Sequence, residues 1–278
     1  MNPHGQVFVV TGAGSGIGRA LSHTLAAKGA LVAACDVNET AAKETVAALP
    51  TGEHRAFAVD VGDREAVLGA AAEVIAQFGR VDGVINNAGV LGQLAPLSEL
   101  GWEELEFVVR VDLWGVIHGT KAFLPHLLAR PEASLVNVSS FAGLMGTLGN
   151  SAYFAAKFGV RGFTEAVRSE LRRTNVTVTA VFPGVVKTNL AASAPTYTEE
   201  ERRRAVEIYH TQPGITPEKA AARIVGAVEK GSPRLLIGPD TWFVDKLVRL
   251  MPARSDRLIG GAVRFAANRQ RPDGRKLF

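Results

Sequence analysis

Short apolar, β-branched runs alternate with alanine-rich stretches of helical period along most of the 278 residues, and this alternation restricts the possible folds more than any other property of the chain. The runs are Val7 to Thr11, Leu31 to Asp36, Ala56 to Val59, Val84 to Asn86, Ser134 to Ser139, Thr177 to Phe182 and Arg234 to Ile237. They are apolar throughout, not at every second residue, as strands covered on both faces are. Between them the period predicts helices near 16–28, 39–48, 63–78, 101–128 with an interruption, 151–172 and 217–230. Thr216-Pro217-Glu218 supplies a threonine cap and a proline at the first helical position. The rhythm predicts an α/β fold, a doubly wound parallel sheet of about seven strands with helices on both faces. Sites in such sheets gather beyond the C-terminal ends of the strands.

No linker or break in composition divides the chain, and with 47% hydrophobic residues it can fill one large core. We expect a catalytic domain over residues 1–238 and a basic helical extension over 239–278. Within the domain, 185–214 has no strand signal and is expected to form an insertion, either a lid or an excursion packed on the surface. Thr198 and Glu201 carry capping-box spacing for a short helix there. The apolar run at Val7 is too short for a signal-peptide core or a membrane span, which points to a cytoplasmic protein without integral membrane contact. The single cysteine, Cys35, excludes an internal disulfide, and His4, His23, His54, His118, His126 and His210 show no metal-ligand spacing, so no metal is expected. The formal net charge of +4 is local: residues 240–278 hold nine Lys or Arg against four Asp. That tail contains no nucleic-acid module, which favours a solvated or subunit-contacting role over nucleic-acid binding. The stripe Trp242, Phe243, Leu247, Leu250 and Met251 reads as a helix face packed on its own domain or on a sister subunit, in preference to a membrane.

Thr11-Gly12-Ala13-Gly14-Ser15-Gly16-Ile17-Gly18 follows the first strand and opens the first helix. Glycines there permit a tight turn and close backbone approach, and the helix N-terminus offers free N–H groups to a pyrophosphate. Asp36, at the end of the second strand, can accept both ribose hydroxyls of an adenosine and would repel a 2′-phosphate, which favours NAD over NADP; it could also simply cap a turn. Ala13, Ser15 and Val37 provide no basic group for an extra phosphate. Asp60 and Val61 end the third strand, where the carboxylate could reach an adenine amino group or cap the next helix. Asn86-Asn87-Ala88-Gly89 ends the fourth and lets the backbone run beside a ligand, although such residues also make ordinary turns.

Tyr153 and Lys157 share one helix face, and a neighbouring ammonium lowers a phenol's pKa, which would let tyrosine act as a base. On many helices that spacing carries no chemistry. Here Ser139 and Ser140 end the fifth strand, with Ser140 placed 13 residues before Tyr153.

With these motifs, in this order and followed by Pro183-Gly184-Val185-Val186-Lys187-Thr188, residues 6–238 resemble the classical short-chain dehydrogenase/reductase family, whose fold is of Rossmann type. The resemblance implies that Tyr153 exchanges a proton with the substrate oxygen, that Ser140 positions that oxygen, and that Lys157 both lowers the tyrosine pKa and binds the nicotinamide ribose. Pro183 and Gly184 would lie beneath the cofactor, with Val186 and Thr188 on its carboxamide. The chain departs from the pattern at Asp112, where the family usually has an asparagine that completes a tetrad. An aspartate keeps the backbone carbonyl that the tetrad uses; it could add a negative charge near Lys157 and shift the pH optimum, or the position could be a helix residue that tolerates either side chain.

The expectation is therefore an NAD-dependent enzyme interconverting a hydrophobic secondary alcohol and its ketone, with Leu91, Phe141, Leu144, Met145, Val185 and Leu190 around the substrate. The resemblance also suggests a homodimer or homotetramer. A dinucleotide-binding sensor without catalysis, or an NADP-dependent carbonyl reductase, are the alternatives.

Overall fold

A computed structural model describes residues 1–194, 198–255 and 257–261, so the basic tail beyond 261 lies outside the described residues. Seven strands form one parallel sheet: β1 (Val7–Thr11), β2 (Leu31–Asp36), β3 (Arg55–Ala58), β4 (Gly83–Asn86), β5 (Ala133–Val138), β6 (Val176–Pro183) and β7 (Arg234–Ile237). Their spatial order is β3-β2-β1-β4-β5-β6-β7. The chain winds outward from β1 to β3 and then returns past β1 to β4. A crevice opens at that reversal, beyond the strand ends.

Successive strand residues face opposite sides. Phe8, Val10, Val32, Ile85 and Val181 pack against Leu21 and Leu25 of α1 (Gly16–Ala27) and Ile224 and Val228 of α8 (Pro217–Lys230). Val7, Val9, Val84, Leu135 and Val178 face the other layer: Val74 of α3 (Arg64–Phe78), Phe123 and Leu127 of α5 (Gly115–Leu128) and Val167 of α6 (Ser151–Glu170). Side chains stop the chain where helices begin. Asn38 caps α2 (Glu39–Ala47), Asp63 caps α3, and Thr198 and Glu201 form the expected capping box on α7 (Glu199–Thr211).

Polar side chains are also built into the middle of the sheet. Asn86 and Asn137 stand opposite each other on β4 and β5. Asn86 Nδ2 donates to Asn137 Oδ1 at 2.8 Å, and Asn137 Nδ2 donates to Thr164 Oγ1 of α6 at 3.0 Å.

One expectation about helices is met and one changes. The interrupted helix over 101–128 resolves into α4 (Trp102–Val109), a π-helical turn (Arg110–Trp114) and α5, with Asp112 buried on the wider turn. The stripe after the last strand forms α9 (Pro239–Leu250), but Trp242 is 57% and Leu250 79% exposed, with Phe243 exposed beside them. Packing on their own domain therefore fails for these three. The buried side of α9 is anchored by Asp245, paired with Arg234 of β7. Segment 185–214 leaves β6, holds a 3-10 turn (Asn189–Ala192) and α7, and closes where Val186 bridges Ile215.

Candidate active site

A cleft of about 740 Å³ crosses the C-terminal ends of the strands at the point of reversal. One end is lined by Gly12, Ser15, Gly16, Ile17, Asp36 and Val37, followed by Asp60, Val61, Asn87, Ala88 and Gly89. Gly12 and Gly16 have φ of +67° and +50°, conformations that other residues rarely adopt. A Cβ on Gly16 would stand 3.0 Å from Thr188 Cγ2, so glycine keeps this wall open. Ser15 caps α1 by its backbone alone, leaving the first N–H groups of the helix without a capping side chain.

Thr11, Gly14 and Gly18 shape this end without lining it. Thr11 Oγ1 accepts the N–H groups of Asn87 (2.9 Å) and Ala88 (3.0 Å), tying the glycine loop to the turn after β4. Gly14 N–H donates to Asp36 Oδ2 at 2.8 Å. Gly18 packs so closely that a Cβ would sit 2.0 Å from the Gly12 carbonyl oxygen. Asp60 pairs with Arg110, Nη1 to Oδ2 2.8 Å, while its Oδ1 accepts the Gly62 N–H. It does not cap α3, since Asp63 does so.

At the centre of the cleft Ser140, Tyr153 and Lys157 come together, all three buried. Asn150 starts α6 by accepting the Tyr153 N–H at 3.2 Å, which fixes the helix phase that turns Tyr153 and Lys157 into the cleft. Its amide also donates to the Leu91 carbonyl. Ser139 Oγ donates to the Lys157 carbonyl oxygen at 2.9 Å, pinning the end of β5 to α6, and Lys157 Nζ lies 5.5 Å from the Tyr153 ring centroid. Asp112 lies behind the pair, with Oδ2 3.5 Å from Lys157 Nζ.

The electrostatics depart from the expected lowering of the tyrosine pKa. Burial raises the Tyr153 pKa above the ordinary phenol value, the Asp112 carboxylate raises it further, and a hydrogen bond with Ser140 acts in the opposite direction. The carboxylate facing Lys157 offsets the ammonium that was expected to favour a phenolate. Burial likewise lifts the Asp112 carboxyl to about 6, against the attraction of Lys157 and the Val90 N–H.

Beyond the central residues the walls turn apolar. Leu91, Phe141, Met145, Val185 and Leu190 line the cleft, together with Pro183, Gly184, Val186 and Thr188 from the end of β6. Leu144 does not. It is 2% exposed and packs into a small core with Ala180 and Phe182, because the 3-10 turn after Ser140 directs it beneath the sheet end. Phe154, next to Tyr153 on α6, joins the lining, as do Phe107, Tyr209, Val244 and Ile259 from helices distant in sequence. Only Asn150 among the missed residues carried a local signal, an asparagine directly before a helix. Ser193 Oγ accepts the Leu91 N–H at 2.7 Å, fastening segment 185–214 to the opposite wall. Among the described residues, no cluster of His, Cys, Asp or Glu could hold a metal ion, and no helix is long and apolar enough to cross a membrane.

The glycine turn at the head of α1 and the Ser140, Tyr153 and Lys157 cluster occupy a chain whose residues 6–199 match the short chain dehydrogenase family. The chain belongs to that family. Among short-chain dehydrogenases it is 42% identical over 264 residues to SadH of Mycobacterium tuberculosis, a protein named as an oxidoreductase, covering 93% of this chain and 95% of the relative. It is 38% identical over 192 residues to D-threitol dehydrogenase of Mycolicibacterium smegmatis, covering 68% and 74%. A short-chain dehydrogenase/reductase from Burkholderia phymatum, solved in complex with NAD, superposes with a TM-score of 0.82 at 26% identity, covering 92% of this chain and 97% of that one. This short-chain dehydrogenase is therefore an oxidoreductase on a Rossmann-like single domain.

Proposed function

We propose that this short-chain dehydrogenase uses NAD to interconvert a hydrophobic secondary alcohol and its ketone. One observation carries the reading: buried Ser140, Tyr153 and Lys157 stand where a glycine-lined cleft meets an apolar one.

The residues present fit a nicotinamide dinucleotide. Gly12 and Gly16 leave a cradle that a Cβ would fill, the open N-terminus of α1 suits a pyrophosphate, and Asp36, held by two backbone N–H groups, suits an adenosine ribose. The NAD complex of the Burkholderia relative supports the choice, and the absence of a basic side chain at Ser15 and Val37 favours NAD over NADP. When bound, the dinucleotide exchanges a hydride with the substrate carbon. Tyr153 Oη exchanges the accompanying proton with the substrate oxygen, and Ser140 Oγ hydrogen-bonds that oxygen and fixes its place. Lys157 would hold the ribose of the dinucleotide, with Val186 and Thr188 on its carboxamide. Leu91, Phe141, Met145, Val185 and Leu190 exclude water and select an apolar substrate. Segment 185–214 acts as the lid, and exposed Trp102, Trp114 and Phe158 on α4 to α6 provide the surface for a homodimer or homotetramer.

Replacing Tyr153 with Phe removes the exchanging proton and leaves the ring. With a panel of apolar secondary alcohols and NAD, turnover followed by NADH absorbance is expected to fall by about 10²-fold or more. Wild-type rates in Tyr153→Phe would refute the assignment.

A further inference from the structure

The most deeply buried ion pair at the site lies behind the catalytic residues. Asp112 is 0% exposed and Lys157 4%. Asp112 Oδ1 accepts the Val90 N–H at 2.7 Å, whereas Oδ2 has only Lys157 Nζ, at 3.5 Å, at the outer edge of hydrogen-bond reach. A buried carboxylate oxygen left in this state is costly, and a fold keeps one only where its charge is compensated or used. The surroundings are built to hold it. The π-helical turn Arg110–Trp114 carries Asp112 inward, in a type of helix irregularity common at functional sites. Gly89 has no side chain to separate the charges: a Cβ there would stand 3.1 Å from Asp112 Oδ1 and 3.3 Å from Lys157 Nζ.

We infer that Asp112 is a positioning residue which balances the Lys157 charge seen by Tyr153, keeps Tyr153 a phenol through neutral pH, and thereby suits the site to carbonyl reduction. The inference rests on the reading of Tyr153 as the proton-exchanging group. A phenol beside a lone ammonium is drawn toward phenolate, but beside an ammonium that already faces a carboxylate it experiences nearly zero net charge. Among the described residues, the titratable groups around the pair are Tyr153 on α6 and Tyr209 on α7, with Asp240 of α9 beyond Tyr209. The turn after β4 contributes a backbone N–H. Burial and the Asp112 charge act on Tyr153 in the same direction, upward.

The chemistry balances in the reductive direction. A carbonyl carbon that accepts a hydride from the reduced dinucleotide leaves an alkoxide oxygen, and Tyr153 Oη gives that oxygen its proton. The tyrosinate left behind is reprotonated from solvent before the next turnover. A phenol that stays protonated through neutral pH is ready for this step. The reverse reaction needs the phenolate and reaches its full rate only at alkaline pH.

Asp112→Asn removes the charge with almost no change in shape and keeps an oxygen for the Val90 N–H. The profiles of kcat/KM against pH for oxidation and for reduction are measured in parent and variant. In Asp112→Asn the rising limb of oxidation and the falling limb of reduction are both expected to move to lower pH, by about 1 to 3 units. Ultraviolet difference titration of tyrosinate, with Tyr153→Phe as the blank in each background, reads the same shift even if the variant turns over slowly. Superimposable limbs, or an unmoved tyrosinate titration, would overturn the role of Asp112 while an inactive Tyr153→Phe leaves the proposed function standing. An active Tyr153→Phe would remove both.

Discussion

Replacing Asp36 with Ser should change cofactor preference without touching the residues of the proton step. Asp36 Oδ2 accepts the Gly14 N–H at 2.8 Å and Oδ1 accepts the Asn38 N–H at 2.9 Å, so its carboxylate is oriented before any ligand arrives. Gly14 permits this approach, since a Cβ there would lie 2.9 Å from Asp36 Oδ2. Of the two ribose hydroxyls that the carboxylate can accept, the serine hydroxyl can still bond one, and the charge-assisted bond to the other costs roughly 1.5 to 3 kcal/mol, or about 10- to 150-fold in kcat/KM for NAD. The same carboxylate opposes a 2′-phosphate. At about 5 Å, with an effective dielectric constant between about 20 and 80, repulsion is roughly 1 to 3 kcal/mol per unit charge. Asp36 is half-buried, so the lower part of that range applies, and NADP should improve about 5- to 20-fold. The ratio of kcat/KM for NAD to that for NADP should therefore fall by about 10²- to 10³-fold. Serine can still accept one backbone N–H, and an unchanged melting temperature would show that the loop survives. Steady-state kinetics with both dinucleotides measure the ratio. A change below about threefold in a folded variant, or a parent enzyme that already prefers NADP, would refute this account.

Two further outcomes concern the rest of the fold. Asp245 accepts both Arg234 Nη atoms, at 2.6 and 3.0 Å, and Arg249 Nε at 3.1 Å, and the hydrogen bonds from Arg234 are the main cause that holds its carboxyl down to about 2. Because this group titrates lower in the folded chain than in the unfolded one, its stabilisation is complete above the unfolded value and is lost as pH falls through the folded one. Asp245→Asn should lower stability by roughly 2 kcal/mol at neutral pH, and urea titrations should show the gap closing between about pH 4 and pH 2; a gap independent of pH would contradict the ion-pair reading. Burial, with the Asp36 charge, pushes the Cys35 thiol up to about 12, so alkylating reagents at mildly alkaline pH should label it only after unfolding, as mass spectrometry would show. Rapid labelling of the native protein would count against the packing of β2.

The seven strands were legible because a sheet covered on both faces needs near-continuous apolar runs, and the helices because their caps are local. Thr198 and Glu201 announce α7 within four residues. The glycine loop and the Tyr153 and Lys157 spacing were legible for the same reason, since each acts within one turn or one helix face. What was missed depends on long-range packing. Leu144 follows Ser140 closely yet turns into the core, and nothing in its neighbours signals that the 3-10 turn will carry it there. Tyr209 and Val244 reach the cleft from elements whose docking no short window reveals. The direction of the Tyr153 shift was misread because the burial of the phenol, set by long-range packing, raises its pKa, and a buried carboxylate brought in by a π-helical turn raises it further beside the lysine.

The amides inside the sheet also bear on how the strands find their partners. Apolar runs such as those of β4 and β5 could slide past one another by two residues and still bury oil against oil, because a slip of that size leaves each side chain on the same face. Asn86 and Asn137 make such a slip expensive. Only with the two opposite each other do Asn86 Nδ2, the Asn137 side-chain amide and the Thr164 hydroxyl all find partners; Asn86 Oδ1 is left without one even so, and any other alignment strands further polar groups in a dry interior. The pair thus works as a key for strand alignment, joining positions 51 apart in the chain. The turn after β4 and the serines after β5 emerge at matched heights because of it, so an error in this one pairing would misalign the floor of the cleft.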